Sequence, residues 1–222
     1  MNHLYFAAKA PLAGEAKTRL GSSIGMNAAA TLYSAFLLDI AERFASADLQ
    51  TGWYIAPGSR PHLASLIGSS ARVRIQRGDS WAERQANLFK DCTAEGETRV
   101  VLAATDSPQL PLMRVEEAFV ALDAHDVVLG PTQDGGYYLV GMRGFHDILE
   151  GIEMSTNCAL DQVLVRASSQ RISTALLEPE FDVDTEGDLM RLSGVVARRD
   201  DLAHTAGALA VILGVARESR IA

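Results

Sequence analysis

The sequence is poor in cysteine and in basic charge. Its two cysteines, Cys92 and Cys158, are too few for a framework of disulfides or a four-cysteine zinc site, and such residues are usually buried as small apolar side chains. With 20 Lys and Arg against 28 Asp and Glu, the formal charge is -8. The chain therefore lacks the basic face that binding to nucleic acid or to an anionic membrane requires. Partners of these two kinds are not expected, and any anionic ligand must be held by a local group of cations.

Long apolar runs are also missing, so no membrane span is predicted. The short apolar run at residues 2–8 has no Lys or Arg ahead of it, unlike a secretory signal, and we expect a cytoplasmic protein. The 222 residues are 48% apolar and 22% charged, which provides one sizeable core and excludes wholesale disorder. Since the sequence has no repeat, low-complexity segment or linker, residues 1–222 are predicted to form one domain.

Apolar strands alternate with amphipathic helices through most of the chain, and such alternation predicts βαβ units and a mostly parallel sheet. The pattern breaks after residue 130, where an Asp-Gly-Gly turn leads directly into the apolar run 137–142. This run is expected to be an antiparallel strand in an otherwise parallel α/β fold. The other predicted strands cover residues 4–8, 50–56, 72–76, 99–104, 126–130 and 172–177, and the predicted helices cover residues 26–44, 61–67, 81–89, 113–122, 158–167 and 202–215, with a further helix near residue 189.

The run at residues 99–104 predicts a central strand that ends on a carboxylate. It is apolar without alternation, as in a strand covered on both faces, and Pro108 prevents it from continuing. Asp106 then lies at the carboxyl edge of the sheet, where open α/β sheets bind ligands and where a carboxylate can hold a metal under a phosphate. The alternative is that Asp106 caps the next turn, with Thr105 or Ser107 starting a helix.

The loop at residues 9–20 follows the first predicted strand and contains Gly14 and three cations, Lys9, Lys17 and Arg19. Backbone N–H groups can approach a ligand closely at a glycine, and the cations supply charge, so the loop predicts a phosphate site. The spacing of a Walker A loop is absent, which excludes a P-loop mechanism. The alternative is a solvated, cationic turn.

The segment at residues 130–141 combines a turn with groups that suit a sugar. Asp134 can accept hydrogen bonds from hydroxyls, Gly135 and Gly136 allow close backbone approach, and Tyr137 offers a flat face. A plain hairpin would need the Asp-Gly pair but not the whole segment. We therefore interpret this turn as part of a binding site.

Two later segments contribute candidates that have competing explanations. Ser155 and Thr156 precede a predicted helix, and either can be its N-cap rather than a ligand group. Asp184 is a candidate second metal ligand. The neighbouring Thr185 and Asp188 have the spacing of a capping motif, which is the usual reason for acidic residues at a helix start.

Polar residues also stand at the start of the predicted helix 81–89. Ser80 and Glu83 have capping-box spacing. Trp81 and Arg84 are near enough to reach a site at the sheet edge, but a bulky Trp beside an Arg at a helix start is usually structural. We favour the structural interpretation for both.

Taken together, these segments resemble a bacterial family of GT-A-type nucleotide-diphospho-sugar transferases that is linked to arsenosugar biosynthesis, and more distantly the phospholactate and molybdenum-cofactor guanylyltransferases. The resemblance implies a three-layer, Rossmann-like GT-A fold, a nucleotide near the first loop, and Asp106 as the aspartate that holds a divalent metal. Two positions depart from the family pattern, Ala104 in place of Gly and Met154 in place of Trp. The matching segments are 9–20, 78–84, 105–108, 130–139, 155–156 and 182–189.

Three functions are compatible with these residues. The leading hypothesis is sugar transfer from a nucleotide-diphospho-sugar to a small-molecule acceptor, with Mg²⁺ or Mn²⁺ held by Asp106 and Asp184 while Asp134 orients the sugar or activates the acceptor. The second is nucleotidyl transfer, in which Lys9, Lys17 and Arg19 bind a nucleoside triphosphate and stabilise departing pyrophosphate. The third is a non-catalytic nucleotide-binding module. The sequence specifies neither the sugar, base and acceptor nor the oligomeric state.

Overall fold

The computed structural model describes residues 1–45, 47–154 and 156–221, with side chains up to residue 214. The strands are β1 His3–Ala8, β2 Gln50–Ile55, β3 Val73–Ile75, β4 Arg99–Ala104, β5 Val127–Pro131, β6 Tyr137–Arg143 and β7 Thr174–Leu176. The helices are α1 Thr18–Ile24, α2 Met26–Ala45, α3 Arg60–Ile67, α4 Trp81–Ala94, α5 Leu112–Ala124, α6 Ala159–Ser169, α7 Glu186–Val196 and α8 Ala203–Ile221, with a 3-10 turn at Asp200–Leu202.

The strands form a seven-stranded sheet in the order β3-β2-β1-β4-β6-β5-β7. Strand β6 runs antiparallel to both β4 and β5, and the other neighbouring pairs are parallel. The predicted α/β fold, with a mostly parallel sheet and an antiparallel strand, is therefore confirmed. The turn between β5 and β6 is closed by the backbone hydrogen bond from Thr132 N to Gly136 O at 3.0 Å.

Helices cover the central strands on both faces, which explains why these strands show no alternation. On one face, Leu4 and Phe6 of β1 belong to a buried cluster with residues of α2, α5 and α8, including Phe36. On the other face, Tyr5 packs with residues of α4 and α6, including Phe89. The result is a three-layer arrangement with a core on each side of the sheet.

Three helices differ from the sequence predictions, and one of them, α8, runs to Ile221 instead of ending at residue 215. Helix α1 lies in a segment predicted as loop, because its seven residues bury only Leu20 and Gly21 and so show no amphipathic pattern. Helix α4 continues past the predicted end at residue 89 because Cys92 is buried against the core. The predicted capping motif before α7 is confirmed. The Thr185 side chain accepts a hydrogen bond from Asp188 N, and the Asp188 side chain accepts one from Thr185 N. Among the helices of the described chain, none combines the length and apolar character needed to cross a bilayer.

A buried ionic cluster closes the amino-terminal edge of the sheet, opposite the strand ends that predict ligand binding. Glu97 is only 5% exposed. It accepts hydrogen bonds from the Tyr5 hydroxyl at 2.9 Å and from Arg74 at 2.8 Å, and it pairs with Arg72. Burial alone would raise the pKa of Glu97, but hydrogen bonds from Cys92, Tyr5 and Arg74 outweigh it and lower the pKa to about 2.

We expect Glu97→Gln to lower the free energy of unfolding at pH 7 by about 3 kcal/mol, because it removes the buried carboxylate that the partly buried Arg74 and the more exposed Arg72 share. Since the pKa of Glu97 falls on folding, its charge stabilises the protein above the ordinary value of 4.5, and this stabilisation is lost as the pH approaches 2. Urea unfolding at several pH values measures the effect. The difference in the free energy of unfolding between wild type and Glu97→Gln should shrink as the pH falls from 4.5 towards 2.

The matched control is Glu95→Gln, since Glu95 also pairs with Arg74 but is exposed. Its expected cost is below about 1 kcal/mol. A pH-independent difference for Glu97→Gln, or equal effects of the two variants, would contradict the assignment of this stabilisation to the buried charge.

Candidate functional site

The carboxyl ends of the parallel strands open into a cleft of about 600 Å³. Small residues at or just after the strand ends, such as Ala8, Ala56 and Ala104, leave space above the sheet. This is the edge at which open α/β sheets bind ligands. The residues predicted from the sequence that line the cleft are Lys9, Arg19, Asp106, Asp134, Gly136, Tyr137, Thr156 and Asp184.

The remaining predicted residues have different locations. Lys17 lies beneath the cleft, bonded to Asp106, and Gly135 lies in the turn at its wall. Gly14 is exposed in the first loop, with a φ of 82° and open space around it, and is not among the cleft-lining residues. Ser155 lies outside the described residues.

The centre of the site is an ion bridge built from three distant segments of the chain. The Lys17 ammonium lies 2.5 Å from Asp106 Oδ1 and 3.1 Å from Asp184 Oδ1. Arg19 lies 3.5 Å from the second oxygen of Asp184. Lys17 reaches this position from a left-handed backbone conformation, with φ 49° and ψ 42°, immediately before α1. One ammonium thus joins the two carboxylates that the sequence predicted as metal ligands.

The ion bridge keeps Lys17 and Asp106 charged. Burial would lower the pKa of Lys17, but the Coulomb attraction of Asp106 and then of Asp184 outweighs it and raises the pKa. Desolvation would raise the pKa of Asp106, and the Lys17 ammonium more than reverses this and lowers it. The Lys17 side chain is 3% exposed whereas that of Asp106 is 46% exposed. The carboxylate therefore presents its second oxygen to the cleft.

The turn between β5 and β6 holds Asp134 in one orientation. Its Oδ1 accepts hydrogen bonds from the Thr132 hydroxyl at 2.5 Å and from Gly136 N at 3.2 Å. Gly135 has a φ of 88°, and a Cβ on it would overlap the carbonyl of Asn157. With Oδ1 fixed by the turn, Oδ2 of Asp134 is left to meet a ligand in the cleft.

Tyr137 follows this turn, and its hydroxyl forms part of a polar contact at the cleft wall. The hydroxyl donates to Gln85 Oε1 at 3.1 Å and lies 3.4 Å from Met154 Sδ. Burial raises the pKa of Tyr137, so the hydroxyl stays protonated. Met154, which stands where the resembled family has Trp, lines the same wall. A flexible thioether takes the place of a flat ring at this wall.

Thr156 does not cap α6, as one interpretation of the sequence would have it. The N-cap position of α6 is Cys158, and the Thr156 hydroxyl donates instead to the carbonyl of Glu153 at 2.8 Å. Thr156 lies at the cleft wall, next to Asn157. Its methyl and hydroxyl groups are therefore available to a bound ligand.

Asp182 is a cleft residue that was not among the predicted site residues. Val183 is buried and its N–H donates to the carbonyl of Asp106, so the flanking Asp182 and Asp184 both face the cleft. Burial raises the pKa of Asp182 to about 6. The hydrogen bond from Ser107 lowers this pKa, and the repulsion of Asp106 raises it further. The Asp-Val-Asp spacing was the available signal, since residues two apart in an extended segment share a side.

Trp81 and Arg84 also line the cleft, together with Gln76. The structural role favoured for the first two residues is supported, since Trp81 packs against a core cluster and Arg84 binds the carbonyl of Gly78. The Ser80 N-cap, whose side chain accepts from Glu83 N, places Trp81 at the first position of α4, at the cleft edge. The two residues thus border the cleft in addition to their structural contacts.

Several solved structures share this architecture. A candidate nucleotide-diphospho-sugar transferase from Desulfovibrio desulfuricans G20 is 28% identical, with a TM-score of 0.87 over 96% of this chain and 98% of that one. A CMP:2-keto-3-deoxy-manno-octonic acid synthetase solved with CTP is 12% identical, with a TM-score of 0.55 over 89% of this chain and 99% of that one. The chain thus has the fold of nucleotide-utilising transferases.

The fold is shared more widely. The molybdopterin-guanine dinucleotide biosynthesis protein A of Archaeoglobus fulgidus is 13% identical, with a TM-score of 0.54 over 89% of this chain and 100% of that one.

No match was found among curated proteins. A family model described as an uncharacterized protein conserved in bacteria, DUF2064, matches residues 40–156, which is more than half of the chain. The chain belongs to this family.

We expect Gly135→Ala to destabilise the turn by about 3 kcal/mol or more, because the new Cβ meets both an unfavourable positive φ and the carbonyl of Asn157. The control is Gly144→Ala, at a φ of 77° with open space around it, for which only the backbone cost of about 1 kcal/mol applies. Thermal unfolding of both variants measures the difference. Equal losses would show that the contact with Asn157 does not constrain the turn.

Proposed function

We propose that this protein transfers a sugar from a nucleotide-diphospho-sugar to a small-molecule acceptor. The observation that carries the proposal is that one cleft contains both the Lys17–Asp106–Asp184 ion bridge and the fixed Asp134 carboxylate. The first suits a diphosphate and the second suits sugar hydroxyls. A nucleotide-sugar needs both along one path.

The diphosphate is assigned to the end of the cleft near β1. Lys9 and Arg19 line it, and the Lys9 ammonium has no ion-pair partner among the described residues. Arg19 is 71% exposed on its side chain and only weakly engaged with Asp184. These two cations are thus free to bind phosphate oxygens.

The donor set also fits a divalent cation. No group of three or more His, Cys, Asp or Glu side chains suited to a metal occurs in the part of the chain that the structure describes. Mg²⁺, however, is commonly held by one or two carboxylates together with substrate phosphates. Asp106, with a second oxygen open to the cleft, and Asp184 would hold Mg²⁺ or Mn²⁺, and the ion would offset charge on the departing nucleoside diphosphate.

The sugar is assigned to the end of the cleft near β6. Asp134 would accept hydrogen bonds from sugar hydroxyls through Oδ2, and Gly136, which lines the cleft, allows close approach of the backbone. Gly135, which the sequence also predicted as a binding residue, packs against Asn157 instead. Tyr137 and Thr156 would complete this wall, and Ser155 is retained as a candidate from the sequence. The fixed orientation of Asp134 means that little conformational freedom is lost when a sugar binds.

The likeness to the Desulfovibrio protein supports sugar transfer over the alternatives, since it covers nearly the whole of both chains. Nucleotidyl transfer, the second hypothesis, uses the same cations for a triphosphate, and a non-catalytic module would bind a nucleotide without turnover. The link to arsenosugar biosynthesis stays a prediction of the sequence resemblance. Two experiments separate these possibilities.

The first experiment tests the metal role of Asp106. Calorimetry with nucleoside diphosphates should give at least tenfold tighter binding with Mg²⁺ than without it, and Asp106→Asn should remove that difference. The control is Asp123→Asn, because Asp123 is an exposed partner of Arg99 outside the cleft and should change neither affinity. Metal-indifferent binding of the same strength in wild type and Asp106→Asn would exclude the role.

The second experiment tests the reaction. Incubated with Mg²⁺ and a panel of nucleotide-sugars without acceptor, the protein should slowly release nucleoside diphosphate from at least one of them. Asp134→Asn should slow this release at least tenfold while leaving the affinity for the nucleoside diphosphate unchanged, because Asp134 would contact the sugar and not the phosphates.

Nucleoside triphosphates are tested in parallel. Pyrophosphate release with formation of a nucleotide-linked acceptor would replace sugar transfer by nucleotidyl transfer. Tight binding with no turnover of either panel would favour the non-catalytic module.

A further inference from the structure

We propose that Gln76 and Arg84 read the base of the nucleotide and select an edge that presents two adjacent acceptors beside an N–H donor. This inference rests on the proposed nucleotide-dependent function and goes beyond it, since it assigns the base class. Such an edge is displayed by guanine, through N7, O6 and N1–H, and by cytosine, through O2, N3 and its amino group. Adenine and uracil alternate donors and acceptors along the corresponding edges.

Gln76 has an oriented amide with an unused acceptor. It immediately follows β3, is 7% exposed and lines the cleft. Its Nε2 donates to the carbonyl of Tyr54 at 2.8 Å. This bond fixes the orientation of the amide. Its Oε1 has no hydrogen-bond partner among the residues with described side chains. An unused acceptor that is open to the cleft can take a hydrogen bond from a ligand that brings a donor.

Arg84 supplies donors in the same cleft. Its Nε donates to the carbonyl of Gly78 at 2.8 Å, which anchors the guanidinium to the loop that follows Gln76, and both side chains line the cleft. Over the described side chains, no carboxylate lies within ion-pair distance of Arg84. Its terminal nitrogens therefore offer a fork of N–H donors, the geometry that reads two neighbouring acceptors on a base.

Both groups are held rigidly through one residue. The backbone carbonyl of Tyr54 in β2 accepts the hydrogen bond from the Gln76 amide. The hydroxyl of the same tyrosine donates to the backbone carbonyl of Arg84 at 2.6 Å. The backbone of Gln76 is bound in turn to Ile55 at 2.8 Å. A fixed pattern of donors and acceptors discriminates between bases because a mismatched base leaves buried groups unpaired.

The surrounding wall suits a flat ring. Ala8 and Ala56 leave a shallow apolar surface above the ends of β1 and β2. Gln76 follows β3 on the same side, whereas Asp134 lies in the turn before β6, on the far side of β4. The base and the sugar would thus bind on opposite sides of the diphosphate.

The test is calorimetry of GDP, CDP, ADP and UDP, with pyrophosphate as a ligand that has no base. Wild type should bind GDP or CDP at least tenfold more tightly than ADP and UDP. Gln76→Met keeps the side-chain length but not the acceptor, and it should reduce this preference about tenfold while leaving pyrophosphate affinity unchanged. Arg84→Lys keeps the charge but not the fork, and it should reduce the preference as well.

The control is Gln109→Met, because Gln109 is equally buried and also donates through Nε2 to a backbone carbonyl, that of Phe181, but does not line the cleft. Its base preference should equal that of wild type. Thermal unfolding of each variant checks that the protein is folded before binding is compared.

Equal affinity of wild type for all four nucleotides would overturn the inference, as would a Gln76→Met effect that weakens all four equally. Loss of pyrophosphate binding in Arg84→Lys would reassign Arg84 to phosphate. Sugar release without base preference would refute this inference alone, whereas base preference without sugar release would refute the proposed reaction alone. Binding of none of the four would refute both.

Discussion

The ion bridge of Lys17 with Asp106 and Asp184 is the interaction on which the geometry of the cleft depends. It joins the loop after β1, the end of β4 and the segment before α7, which are far apart in the chain. Lys17 is the buried member of this bridge, so removing a carboxylate would leave a buried ammonium with fewer partners, which is costly. Arg19 is a second cation beside Asp184, and it is exposed. This arrangement suits the metal and phosphate site that we propose.

The antiparallel strand explains how the two ends of the cleft come together. Parallel strands bring their carboxyl ends to one edge, and an antiparallel strand brings its amino end to that same edge. Because β6 pairs with β4, the turn that carries Asp134 emerges beside Asp106. A helical crossover between β5 and β6 would instead have made β6 parallel, and β6 would then begin at the opposite edge of the sheet. The short hairpin between β5 and β6 is what makes one continuous cleft possible.

Much of the fold and part of the site were predictable from the sequence. Strand β4 matches its predicted bounds because it is apolar on both faces and ends near prolines, and the carboxylate after it lies at the sheet edge as expected. Helix α1 was missed because it buries too little to show a pattern. Gln76 and Arg84 were missed as a pair for a different reason. Their relation depends on hydrogen bonds to Tyr54 and Gly78, and periodicity carries no information on where side-chain amides and guanidinium groups meet.

The left-handed conformation of Lys17 has a cost of about 1 kcal/mol for a residue that carries a Cβ. Glycine would relieve this strain and would also abolish the ammonium that bridges the carboxylates. Loss of the ammonium would leave Asp106 and Asp184 without their shared partner, which costs more than the strain that glycine relieves. A library screened for heat resistance alone should therefore keep lysine, as should one screened for retention on a nucleotide resin. The ion pairs of this side chain thus hold its own backbone in an unfavourable conformation.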